Sequence, residues 1–294
     1  MIDLQTIESK EQVVRELEER GVCIGKVHPD LYHGMKGALP YPVISKSSLH
    51  EFSACPWVYR WRQVMGRPPE SSGFRLGSAV DCALLTPELW AEKYAVEEVN
   101  RLTKAGKARI AELEAAGKTL LKPEEAKAVA TAAEHAGVAL GALGLRPGET
   151  YSSQVGMWVY TEELDGEKLA RPVILTGMLD IMPHEGPRLL DLKTTSKPLT
   201  NERQVLYAAR DFGYGVQAAL YRDIFEACTG EHREEFGFLF VEQSEPCLVR
   251  YLMLDEGQLV RQRQLYVQQV IEMALALETD AWGSFILPDV VGEF

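Results

Sequence analysis

Two short stretches joined by a turn decide the fold: Gly177-Met178-Leu179-Asp180-Ile181-Met182 and Leu189-Leu190-Asp191-Leu192-Lys193-Thr194-Thr195. Each stretch is an apolar, strand-like run with one acid inside it, and His184-Glu185-Gly186-Pro187 between them is typical of a turn. A carboxylate is costly to bury among apolar side chains unless it is paired or binds a metal. Two such acids on neighbouring strands therefore indicate a cation site.

The second stretch places an acid and a base on one face of a strand. Asp191 and Lys193 are two residues apart, so their side chains point to the same side, while Leu190 and Leu192 point to the other. A divalent metal held by the acid would polarise a phosphate and lower the pKa of a bound water. The lysine would orient that water or neutralise charge on the phosphate. The pair therefore suits phosphodiester hydrolysis, and the alternative is a surface salt bridge at the end of a hairpin.

The triplet alone is weak evidence, because the same spacing occurs in Glu8-Ser9-Lys10 and Glu125-Ala126-Lys127, both in polar, helix-like sequence. The apolar strand around Asp191 and the second acid, Asp180, distinguish the third copy. These two features favour the cation site over the salt bridge.

The pattern on either side of this hairpin predicts an α/β (α+β) fold with a mixed central sheet flanked by helices. Residues 1–30 are expected to form an N-terminal helical extension, with a helix over Lys10 to Gly21 and then a turn, and the alternative is that they are the first piece of the fold. Residues 31–294 are expected to form one domain with a helical insertion at about 100–145. The predicted strands are 154–160, 173–182, 189–194, 236–241 and 248–254. The predicted helices are 76–85, 104–116, 123–143, 216–227 and 256–277. A further helix is predicted to begin at Ser47 or Ser48 and to be interrupted by Pro56, and a loop is predicted over 66–73.

The charge of the chain gives no general affinity for nucleic acid. Of 294 residues, 31 are Lys or Arg and 43 are Asp or Glu, so the formal net charge is −12 and any DNA binding must come from a local basic surface. The best candidate is Lys46, Arg60 and Arg62, which alternate with aromatic residues. This composition suits phosphate contact with base stacking, although aromatics at such spacing also occur in cores.

Location and redox chemistry follow from what the sequence lacks. The N-terminus has no basic and apolar leader, and no apolar run approaches the roughly 20 residues of a membrane span, so we expect a cytoplasmic protein with no membrane contact. The five cysteines are never spaced as CxxC, so we expect reduced and mostly packed thiols.

Four stretches, in order, resemble one family. The chain is similar to the PD-(D/E)xK nuclease superfamily, which has a restriction-endonuclease-like core, and within it to the RecE (exodeoxyribonuclease VIII type) phage recombination exonucleases, relatives of lambda exonuclease and the RecB nuclease domain. The stretches are Tyr32-His33 with Val43 to Leu49, Pro56 and Tyr59 to Arg62; Leu76 to Cys82 with Leu85 to Glu88; Asp180, Asp191 and Lys193 with Thr194 and Thr195; and Tyr214 to Tyr221.

The resemblance implies a site and a cofactor. Mg²⁺, or alternatively Mn²⁺, would be held by carboxylates and one backbone carbonyl, and Lys193 would position the attacking water. Gln217 and Tyr221, which are i and i+4 on one helix face, would lie beside the metal, although an ordinary amphipathic helix gives the same spacing. The implied metal ligands are Asp81, Asp180, Asp191 and the Leu192 carbonyl; Lys46, Arg60, Arg62, Thr194 and Thr195 are the implied DNA contacts.

Two residues depart from the family pattern. Asp81 stands where these proteins carry a histidine that contacts the metal, and an oxygen ligand suits Mg²⁺ or Mn²⁺ at least as well. The alternative for Asp81 is a helix acid without a catalytic role. Gln154 stands where the family tends to carry an acid, and its amide oxygen could hold a water or a metal.

The implied activity is degradation of one strand of linear duplex DNA from its 5′ end, which leaves a 3′ single-stranded tail for a single-strand annealing protein. The resemblance also implies a homo-oligomeric ring, trimer or tetramer, whose basic bore would reconcile DNA binding with the acidic chain. Such a protein would be encoded by a phage or prophage and would act in the cytoplasm of the bacterial host. Two alternatives remain: a non-catalytic protein that binds DNA ends, and a PD-(D/E)xK endonuclease that cuts closed circles.

Overall fold

The computed structural model describes residues 2, 4–35, 37–66 and 72–284. A mixed sheet of eight strands forms the centre, in the order β1-β2-β6-β7-β8-β9-β10, with β3 paired to β7 beside β8. The strands are β1 (Thr6–Ile7), β2 (Val22–Val27), β3 (Val43–Ser45), β4 (Tyr94–Val96), β5 (Thr119–Leu121), β6 (Tyr151–Leu164), β7 (Glu167–Pro183), β8 (Arg188–Thr195), β9 (Glu235–Glu242) and β10 (Val249–Leu254).

Helices cover the sheet, which confirms the predicted fold class. They are α1 (Lys10–Arg20), α2 (Pro29–His33), α3 (Lys46–Ala54), α4 (Pro56–Met65), α5 (Ser72–Leu85), α6 (Trp90–Lys93), α7 (Lys104–Ala115), α8 (Pro123–Ala142), α9 (Glu202–Asp211), α10 (Tyr214–Thr229) and α11 (Glu256–Thr279). Pro56 ends α3 and begins α4 as predicted, because proline fits the first turn of a helix but not its interior. Most of the loop predicted over 66–73 lies outside the described residues.

The centre of the sheet has the predicted antiparallel meander, since β6 pairs with β7 and β7 with β8 in antiparallel fashion. The chain then crosses through α9 and α10 to β9, which runs parallel to β8. Parallel neighbours need such a crossover because a tight turn reverses the chain direction. Three apolar clusters result among the described residues: α10 and α11 pack in the largest, α5 and α8 pack in the second, and α1 packs against β2 in the third.

Residues 1–30 contribute more than a helix. The predicted helix is present as α1, but residues 22–27, predicted as a turn, form strand β2, which pairs with β6. The reason is an alternation of burial in this segment, with Cys23 and Val27 buried and Lys26 exposed. The segment is therefore part of the main sheet and not a helical extension. The region predicted as a helical insertion contains α7, β5 and α8, and β5 pairs with β4 outside the main sheet.

Within the described residues, no helix is both long enough and apolar enough to cross a membrane.

Candidate active site

The candidate site lies where β7 and β8 separate. The two strands have one paired position, Ile181 with Leu190, after which their backbones diverge. Asp180 bridges the gap, since its Oδ2 accepts a hydrogen bond of 3.0 Å from the backbone amide of Leu192. This split places a carboxylate between two central strands and opens the sheet to a cleft.

Asp191 and Lys193 share one face of β8, as the spacing predicts. The Asp191 carboxylate is buried, and Lys193 forms an ion pair with its Oδ2. Leu190 and Leu192 pack in the core formed with α5 and α8. The strand alternation therefore separates the charged pair from the apolar packing.

Helix α5 brings Asp81 to the same cleft. A Cβ on Gly77 would lie 2.5 Å from Thr194 Oγ1, so only glycine permits this close contact between α5 and β8. Ser78 and Asp81, three residues apart on α5, both line the cleft.

Helix α10 supplies the predicted pair Gln217 and Tyr221, and both line the cleft. The Tyr221 ring lies directly over β7, because a Cβ on Gly177 would lie 2.7 Å from two of its ring carbons. Gln217 is almost completely buried. The i, i+4 spacing thus places both side chains beside the two acids.

The cleft has a volume of about 700 Å³ and collects most of the predicted site. Its lining includes Lys46, Asp81, Gln154, Asp180, Asp191, Lys193, Gln217 and Tyr221.

Four predicted DNA contacts do not line this cleft. Arg60 pairs with Asp280 at 3.4 Å and Arg62 with Glu51 at 3.6 Å, and both arginines line a neighbouring cavity. Thr194 Oγ1 accepts a hydrogen bond from Gln243, and Thr195 Oγ1 accepts one from the amide of Lys197.

The acids of the cleft carry uncompensated negative charge. Burial, with added repulsion from Asp191 and Asp81, raises the pKa of Asp180 well above its usual range. Burial also raises the pKa of Asp81 to about 7, because the nearby Lys193 only partly offsets burial and the charge of Asp191. Carboxyl groups in this state favour either a proton or an additional cation.

The two lysines respond to the site in opposite directions. Burial acts to lower the pKa of Lys193, but Asp191, Tyr214 and Asp180 outweigh it, so the pKa of this ammonium stands above its usual value. Burial and the charge of Lys193 lower the pKa of Lys46 to about 8. Lys193 therefore stays protonated at neutral pH and can act as a hydrogen-bond donor and a positive charge.

The donor set fits a divalent cation that keeps part of its water shell. Among the residues that the structure describes, no three His, Cys, Asp or Glu side chains converge into a complete metal cage. Mg²⁺ does not require such a cage, because it usually binds through one or two carboxylates, several waters and substrate phosphate. Asp180 and Asp191 offer these oxygens, and their charge is the reason that a cation would bind.

Gln154 is the most unusual residue of the cleft. Its φ of 53° is left-handed, in the middle of β6, and the paired register passes from Ser153 to Val155 without it. Its Nε2 lies 3.4 Å from Asp180 Oδ1, and its buried Oε1 has no hydrogen-bond partner. Strained backbone with an unsatisfied polar atom is more frequent at functional sites than elsewhere.

Sequence reasoning missed three aromatic residues near the acids. Tyr32 lines the cleft and accepts a hydrogen bond of 3.2 Å from Thr176 Oγ1. Tyr214 lies between the two lysines, with Lys193 Nζ 4.8 Å and Lys46 Nζ 4.9 Å from its ring centre. Phe74 also lines the cleft, on the face of α5 that carries Ser78. The first two lie in quoted motifs, but no local spacing pointed to their contacts.

This fold and this arrangement of acids and lysine are those of a nuclease. The sequence profile of the PD-(D/E)XK nuclease superfamily matches residues 43–284, and the chain belongs to that superfamily. Its members generally use divalent metal ions. No curated protein matches the sequence.

One solved structure shares the fold, and others are similar over most of the chain at lower TM-scores. A protein from Eubacterium rectale, provisionally assigned as an exonuclease, is 17% identical with a TM-score of 0.50, over 91% of this chain and 96% of that one. A phage-related exonuclease from Haemophilus somnus is 15% identical with a TM-score of 0.36, over 82% and 96%. An alkaline exonuclease from Laribacter hongkongensis is 11% identical with a TM-score of 0.29, over 81% and 92%.

Proposed function

We propose that this nuclease is a Mg²⁺-dependent DNA exonuclease of the RecE type, with Mn²⁺ as an alternative metal. The observation that carries the proposal is the convergence of Asp180, Asp191 and Lys193 at the split between two central strands, with Asp81 on the facing helix. Acids that hold a metal and an ammonium that stays charged are the groups that phosphodiester hydrolysis needs.

In this proposal Asp180, Asp191 and the Leu192 carbonyl would hold the metal, and Asp81 would be a further ligand. The metal would polarise the phosphate and lower the pKa of a bound water. Lys193 would orient the attacking water and offset charge that develops on the phosphate, because its raised pKa keeps it protonated.

The remaining polar residues of the site would hold the DNA. The pKa of Tyr221 stands well above its usual value, because burial and the nearby Tyr32 and Asp191 favour the neutral phenol. Tyr221 would therefore donate a hydrogen bond, alongside Gln217. Lys46 would contact a phosphate in the cleft. Thr194 and Thr195, at the end of β8 and outside the cleft lining, would contact the backbone of the DNA strand further along.

The finer part of the proposal rests on the resemblance of the four ordered motifs. The enzyme would degrade the 5′-ended strand of linear duplex DNA and leave a 3′ tail for a single-strand annealing protein. It would act as a ring of three or four subunits in a bacterial cytoplasm, encoded by a phage or prophage. A ring suits a chain of net charge −12, because its acidic surface can face outward.

The test is nucleotide release from linear duplex DNA with 5′-phosphate ends, compared with covalently closed circles, in Mg²⁺, Mn²⁺ or EDTA. We expect release from linear DNA only, loss in EDTA, and a decrease of about 100-fold or more in Asp191→Ala and Lys193→Ala. Lys127→Ala is the matched control, since Glu125-Ala126-Lys127 has the same spacing but the Lys127 side chain is exposed at the surface of α8, away from the cleft. Cleavage of circles would identify an endonuclease, and end binding without release would identify a non-catalytic protein.

A further inference from the structure

A second cavity adjoins the catalytic cleft at Lys46. It has a volume of about 600 Å³, within the range of small-molecule pockets, and is lined by α3, the end of α9, the start of α10, α11 and strands β9 and β10. We call it the Tyr214 groove and define it by Lys46, His50, Arg210, Tyr214, Arg261 and Gln262.

The charge of the groove is opposite to that of the chain. Its ionisable side chains among the described residues, apart from Tyr214, are Lys46, His50, Arg210 and Arg261, and no acid lines it. Burial and the nearby Lys46 lower the pKa of His50, so lysine and arginine supply the positive charge at neutral pH. Arg261 forms no ion pair within the part of the chain described. In a protein of net charge −12, this composition favours an anionic ligand.

An aromatic stack runs from the wall of the groove, where Tyr214 and Phe238 line it, to Phe212 beside the groove. Phe212 stacks on Tyr214 with ring centres 5.8 Å apart, and Tyr214 stacks on Phe238 at 5.4 Å. Phe212 is 52% exposed, so the stack continues to the surface. Flat aromatic faces beside positive charge are the usual platform for unpaired nucleic-acid bases.

Polar amides provide hydrogen bonds at the other wall. Gln258, Gln262 and Gln269 of α11 line the groove, and the buried Oε1 of Gln269 has no hydrogen-bond partner. An unpaired acceptor in a cavity costs free energy until a ligand or water donates to it. Base edges carry such donors.

The groove and the catalytic cleft meet at Lys46, which lines both cavities. The Tyr214 ring lies next to the lysines of both, with its centre 4.9 Å from Lys46 Nζ and 4.8 Å from Lys193 Nζ. A DNA strand with one phosphate at Lys193 would therefore pass Tyr214 as it enters the groove.

We infer that the Tyr214 groove binds a single-stranded DNA segment that continues from the strand in the catalytic cleft. Lys46, Arg210 and Arg261 contact its phosphates, and the exposed face of Phe212, which Tyr214 supports from behind, stacks with a base. Duplex DNA does not satisfy the groove, because its bases are stacked on one another and unavailable to the aromatic faces. The inference rests on the proposed function and adds to it a site for the unpaired strand.

The test is fluorescence anisotropy of a labelled ten-nucleotide oligo(dT) in EDTA, over a range of salt concentrations. We expect Phe212→Ala to weaken binding about tenfold through lost stacking. We expect the double variant Arg210→Gln/Arg261→Gln to weaken it similarly and to reduce the slope of log K against log salt by about 1.4, for two lost phosphate contacts. The matched controls are Arg203→Gln, exposed on α9 outside the groove, and Tyr41→Ala, an exposed aromatic beside Tyr160 that does not line the groove.

The outcomes separate this inference from the proposed function. Binding by the groove variants that equals the controls, in a protein that still degrades linear duplex DNA, would overturn the groove and leave the nuclease intact. Free dTMP that displaces the oligonucleotide at a similar concentration would also overturn it, in favour of a mononucleotide site. A wild-type protein that neither binds nor degrades DNA would remove both proposals.

Discussion

Asp180 Oδ2 accepts a hydrogen bond from the backbone amide of Leu192 at 3.0 Å, and this contact closes the gap where β7 and β8 separate. The strands have one paired position, so this amide has no partner in a regular ladder. The side chain that we propose as a metal ligand therefore also completes the sheet. Its structural and chemical tasks can be separated by substitution.

Asp180→Asn keeps an oxygen that accepts the Leu192 amide and removes the buried charge, whereas Asp180→Ala removes both. We expect neither variant to cleave DNA. We expect the free energy of unfolding of Asp180→Ala to be lower than that of Asp180→Asn by about 1–3 kcal/mol, the cost of a buried, unsatisfied amide. Urea denaturation at pH 7 measures the difference. Equal stability of the two variants would contradict the bridging role.

Gln154 offers a test of strain at the site. Its φ of 53° suits glycine better than other residues, so Gln154→Gly should exceed Gln154→Ala in free energy of unfolding by about 1 kcal/mol.

Gln154→Glu adds a carboxylate beside Asp180. We expect it to lower the stability of the metal-free protein and to increase its affinity for Mn²⁺, measured by isothermal titration calorimetry. Unchanged Mn²⁺ affinity would place Gln154 outside the metal site.

The sequence predicted the β6-β7-β8 meander and the shared face of Asp191 and Lys193, because strand alternation is a local rule. It could not place Tyr214 between Lys46 and Lys193, since that contact joins three elements distant in sequence. It could not show that Arg60 pairs with Asp280 and Arg62 with Glu51, because these partners are brought together only by the tertiary fold, and their contact with DNA stays a prediction.

Strand β2, within the first 30 residues, could not be predicted for a different reason. The alternation in β2 is only six residues long and contains Gly25, so it resembles a turn. Its identity as a strand depends on pairing with β6, more than a hundred residues later. Such pairing is a tertiary effect that overrides local preference.

Asp81 should make stability depend on pH. Its pKa is raised to about 7 by burial, while the unfolded chain has the ordinary value near 3.8, so the folded state binds more protons between these values. The free energy of unfolding therefore decreases as pH rises from about 4 to about 7 and levels off above. Asp81→Asn removes this contribution.

The measurement is a series of urea denaturation curves from pH 4 to pH 8 in EDTA. We expect Asp81→Asn and wild type to converge near pH 4, and the variant to be more stable above pH 7 by on the order of 1 kcal/mol. Parallel curves across this range would show that Asp81 is ionised throughout and that its burial has no energetic consequence.

Gly177 controls the position of Tyr221. A Cβ at residue 177 would lie 2.7 Å from the Tyr221 ring, so Gly177→Ala must displace that ring from the cleft. We expect a loss of about 1–3 kcal/mol in free energy of unfolding from overpacking, with a decrease in DNA cleavage. The matched control is Gly137→Ala in α8, where the new Cβ meets its nearest atom at 4.0 Å; it should stabilise the protein by about 0.5–1 kcal/mol.

Tyr221→Leu removes the ring, so the loss of unfolding free energy in this variant and that in Gly177→Ala should add to more than the loss in the double variant. Strict additivity would mean that the two residues do not press on one another and that another contact positions Tyr221.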